Sequence, residues 1–90
     1  MVDVTGTALV GYAHTDLATL QAVLGAHHVP GDGYKTQNQW SFWCDGAVFC
    51  IYDYKGDEVY HVGARNARHL AKLQAAYPQL NIVYREDRIW

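Results

Sequence analysis

Cysteine, proline and methionine are scarce in this 90-residue chain: two, two and one. Two cysteines, Cys44 and Cys50, cannot form a disulfide framework, and they are too few for a structural zinc site by themselves. In a reducing compartment both are expected as free thiols. No apolar run approaches the roughly 18–20 residues that a membrane-crossing helix needs. The opening stretch MVDVTGTALV lacks the basic start and long apolar core of a secretory leader. A cytoplasmic location without membrane association is therefore the expectation. Seven Lys and Arg against nine Asp and Glu give a net charge of −2, and no basic stretch stands out. A general nucleic-acid binder, which must neutralise many phosphates, is not indicated. Neither the phosphate-loop nor the dinucleotide glycine pattern occurs, and no cofactor is called for. Repeats, low-complexity tracts and linkers are also missing, so residues 1–90 are read as one domain.

Aromatic residues, by contrast, are abundant: seven Tyr, three Trp and two Phe. Large rings bury much area each, which suits a small core. They are also enriched at binding surfaces. Half of all residues are apolar and 18% are charged, a globular composition.

Residues 5–13 read as a first strand, weakened by glycines. Thr15-Asp16 offers N-cap chemistry for a helix whose inward face is Leu17, Leu20, Val23 and Leu24, and Gly25 stops it. A turn-rich loop covers residues 27–33. Residues 39–44 and 47–54 are strands joined by Asp45-Gly46, a preferred pair for a type I′ turn. That turn sets Cys44 opposite Ala47, Trp43 opposite Val48, Phe42 opposite Phe49 and Trp40 opposite Ile51. A third strand, residues 58–62, follows the turn at Lys55-Gly56-Asp57. A second helix runs from residue 65 or 66 to Tyr77, with Ala67, Leu70, Leu73, Ala76 and Tyr77 inward and His69, Lys72 and Gln74 solvated. Pro78 ends it. Residues 81–85 form the last strand. The expected fold is α+β: an antiparallel sheet with two helices on one face, in the order β-α-β-β-β-α-β.

The hairpin alternation gives two faces. Trp40, Phe42, Cys44, Ala47, Phe49 and Ile51 form the core side. Ser41, Trp43, Val48, Cys50 and Tyr52 form the other, which is also largely apolar. An exposed face of this kind marks an interface or a groove. Trp43, Val48, Cys50 and Tyr52 are thus candidate interface residues, and a homo-oligomer is expected. The competing expectation is that a terminal strand, or the tail at Ile89-Trp90, covers this face.

Chemistry-bearing side chains concentrate in residues 51–65. Asp53, Lys55 and His61 fall on neighbouring strands or the turn between them. A histidine beside a carboxylate is raw material for general-base catalysis, and equally for a surface hydrogen bond. The nearby nucleophile candidates are Ser41 and the two cysteines, and neither cysteine starts a helix, where a thiolate would be favoured. Gly63, Arg65 and Arg68 join a strand to a helix start, where free amides and guanidinium groups favour anions. With Tyr52, Tyr54 and Tyr60 as stacking surfaces, a small phosphorylated ligand would meet Tyr52, Asp53, Lys55, His61, Gly63 and Arg65. His27-His28, with His14, His61 or Cys44, is a weak metal signal, and no metal site is assigned.

Five blocks carry a resemblance: Asp32-Gly33-Tyr34-Lys35-Thr36, Trp40, Asp45-Gly46, Ile51-Tyr52-Asp53-Tyr54-Lys55 and Tyr60-His61-Val62-Gly63. They resemble a family of small bacteriophage and prophage proteins with DGYKT, a tryptophan, DG, IYDYK or IYDWK, and WHIGG, over about residues 6–75. Tyr60 departs from the tryptophan, Ala64 from the second glycine, and the connection from IYDYK to the histidine is short. The resemblance implies a phage context rather than a mechanism. In that context the expectation is a non-enzymatic counter-defence or host-takeover factor that binds a host protein in the host cytoplasm. The alternatives are a sponge for a nucleotide-type signal molecule, or a small phosphodiester hydrolase with His61 as base and Asp53 orienting it.

Overall fold

The computed structural model describes residues 4–25, 29–30, 38–53 and 59–85. Among these, six strands form one sheet: β1 (Ala8–Ala13), β2 (Val29–Pro30), β3 (Asn38–Cys44), β4 (Ala47–Tyr52), β5 (Tyr60–Ala64) and β6 (Ile82–Tyr84). Two helices, α1 (Leu17–Leu24) and α2 (Leu70–Ala76), complete the α+β fold. The spatial order is β2-β3-β4-β5-β1-β6, and every neighbouring pair is antiparallel. The expected element order is present, with the two-residue β2 added before the hairpin.

The β3–β4 hairpin has the register that its turn dictates. Asp45 and Gly46 have φ of 51° and 75°, the positive values that a type I′ turn requires at both positions. Cys44 faces Ala47, Phe42 faces Phe49 and Trp40 faces Ile51. Lys72 Nζ donates to the Asp45 carbonyl at 2.9 Å and so ties α2 to the turn.

One face of the sheet forms the core. Trp40, Phe42, Phe49, Ile51, Val62 and Ala64 pack with Leu20 from α1, Leu70 and Leu73 from α2, and Leu80. Both helices therefore lie on the same face. Asp16 caps α1, its carboxylate accepting from Thr19 N at 2.8 Å, and Gly25 at φ 85° ends it. Trp40 Nε1 donates to the Gly25 carbonyl at 3.0 Å, which locks β3 to the end of that helix.

The second helical region departs from a single long helix. Asn66 caps a three-residue 3-10 turn, Ala67–His69, and α2 proper follows. Ala67 and Ala76, expected inward, are exposed. Tyr77 is half-buried, its ring edge-on to Phe42. Gln74, expected on a solvated face, instead donates from Nε2 to the Ile82 carbonyl at 2.8 Å. The glycine that weakened the reading of β1 is what lets this helix approach. A Cβ on Gly11 would collide with the Val83 carbonyl oxygen and lie 2.7 Å from Leu70 Cδ2.

Candidate functional site

The second face of the sheet carries most of the residues expected to bind. Cross-strand pairing sets Gln39 beside Tyr52, Tyr52 beside His61, His61 beside Tyr12 and Tyr12 beside Val83. The His61 ring stands between two phenols. Its centroid is 5.3 Å from Tyr12 in an edge-on contact and 5.4 Å from Tyr52 in a tilted one. Such contacts join a polar tip to an aromatic body. Tyr52 and His61 are half-buried, whereas Tyr12 is only 3% exposed. Tyr12 was not among the expected site residues. Its place follows from β1 alternation once the bulge between Leu9 and Gly11 is known.

Asp53 lies at the open end of the hairpin. Its Oδ1 accepts from Asn38 N at 3.2 Å and its Oδ2 from Asn38 Nδ2 at 3.1 Å. Asp53 N also donates to the Asn38 carbonyl at 3.3 Å. The side chain thus clamps the strand ends together. Tyr60 points to the opposite face, where its ring meets Trp40 at 6.1 Å. Burial pushes its phenol pKa up, and the negative charges of Asp53 and Asp16 add to that. Lys55 and Tyr54 lie outside the described residues, as do His27-His28, the block from Asp32 to Thr36, and Ile89-Trp90.

The expected anion cradle is built differently. Gly63 lies inside β5, not at a helix start, and pairs with Cys50. A Cβ there would come within 2.6 Å of Cys50 Sγ. Its close approach is therefore to a thiol. Arg65 Nε donates to the Thr5 carbonyl at 3.0 Å and so fastens the residues before β1. Asn66 Oδ1 accepts from Arg68 N at 2.9 Å, and the Asn66 carbonyl accepts from His69 N at 3.0 Å. The first amides of the turn are thus partly occupied by the chain itself.

The two thiols lie on opposite faces and are free. Cys50 is buried, 3.9 Å from Thr7 Oγ1. Burial raises its pKa, against the weaker effect of hydrogen bonds from Thr7 and the Gly63 backbone. Cys44 Sγ donates to the Lys72 carbonyl at 3.9 Å. Its pKa is also raised, by burial first and Asp45 second, with Lys72 opposing. Both behave as small apolar side chains.

The four interface candidates separate sharply. Trp43 is 58% exposed and Tyr52 half-buried, but Val48 and Cys50 are 2% and 6% exposed. The open apolar face expected from alternation is therefore smaller than the alternation implies. Thr7, just before β1, reaches Cys50 and lies beside Gly63. Among the described residues, no three His, Cys, Asp or Glu side chains are grouped to hold a metal ion, and no helix is long and apolar enough to cross a membrane.

Comparison with family models, curated proteins and solved structures finds no match to this chain. The likeness to phage proteins rests on its motif residues alone.

Proposed function

We propose that this chain is a non-enzymatic binding protein that holds a protein partner at the Trp43 end of its second sheet face. The supporting observation is the exposure of Trp43: at 58% it contrasts with Val48, its buried cross-strand neighbour. A tryptophan on a rigid strand offers large contact area at small entropic cost, and such residues dominate binding energy when they fill a partner's pocket. The scaffold beneath it is fixed by the type I′ turn and by the Lys72 bond to Asp45. The phage-type motifs supply the partner class, a host protein in the host cytoplasm, bound in counter-defence or takeover. Incubation of immobilised protein with bacterial lysate, read by quantitative mass spectrometry, tests this. Trp43→Ala is expected to reduce retention of the partner at least about 30-fold, the effect of losing a ~2 kcal/mol anchor. Equal retention by both proteins would overturn the assignment. A homo-oligomer is expected in light scattering at tens of micromolar. A wild-type monomer there removes the oligomer from the account.

The half-buried rings of Tyr52 and His61, with Tyr12 packed behind His61, support a second reading, a sponge for a nucleotide-type ligand. A tight ligand at 100 times its Kd adds about 2.7 kcal/mol of stability. Melting curves with cyclic and linear nucleotides should then shift upward, and no shift with any of them leaves the protein partner.

A further inference from the structure

We draw no further inference here: the strongest candidate, the exposed apolar patch around Trp43 on the second face of the β3–β4 hairpin, belongs to the surface already described, and nothing in the structure shows what covers it.

Discussion

The two faces of the β3–β4 hairpin are both largely apolar, each with one tryptophan and one cysteine, and end in different states. On one face Trp40, Phe49 and Ile51 are wholly buried beneath two helices. On the other, Trp43 stands out while Val48, Cys50 and Ser41 are buried. The core face is filled with large side chains from helix and sheet. On the second face small residues meet at close range: Gly63 pairs with Cys50, and Thr7 Oγ1 lies 3.9 Å from its thiol. Hydrophobicity alone does not distinguish the faces; two helices pack on the first of them.

Substitutions can break that contrast, beginning with the largest effect. Trp40→Ala removes a fully buried ring and its bond to Gly25, and should cost about 3–5 kcal/mol in denaturant unfolding. A cost below about 1 kcal/mol would mean that this face is not the core. Gly63→Ala drives a methyl into Cys50 Sγ, a loss of about 1–3 kcal/mol. Adding Cys50→Ala should recover part of it, because the two positions share one contact. Strict additivity would mean that the thiol is not what demands a glycine.

A smaller effect is expected at the α1 cap. The Thr19 amide lowers the Asp16 pKa from 3.8. A carboxyl with a depressed folded pKa contributes stability that is complete above its unfolded value and is lost as pH falls through the folded one. The melting-temperature gap between wild type and Asp16→Ala should thus be full at neutral pH and narrow below about pH 4. A gap that widens in acid would contradict the cap. The smallest effect belongs to Trp43→Ala. It should change stability by less than about 0.5 kcal/mol, although the same substitution at Trp40 is severe.

Much of this architecture is legible in the sequence because local rules fix it. Asp45-Gly46 sets the hairpin register, and Asp16 with Gly25 brackets α1. The alternation that follows correctly assigns Trp40 and Trp43 to opposite faces. What escapes a sequence reading lies in contacts between distant segments. Gly63 looks like a loop residue for a ligand, yet it answers to Cys50, thirteen positions earlier. Gln74 and Lys72 look solvated, yet they bond to β6 and to the hairpin turn. Asp53 reads as a titratable group beside His61, and the bonds that both its oxygens accept from Asn38 at the far strand end are not legible in that reading. Periodicity tells which way a side chain points and is silent on what meets it there.

The most direct test of Trp43 as the docking anchor is a photo-reactive residue at that position, irradiated in bacteria expressing the protein. Leu17 on α1, also exposed at 38%, serves as the control position on the helical side. A covalent adduct with one host protein from position 43, and none from position 17, is the predicted result. The same adducts from both positions, or none from position 43, would contradict it.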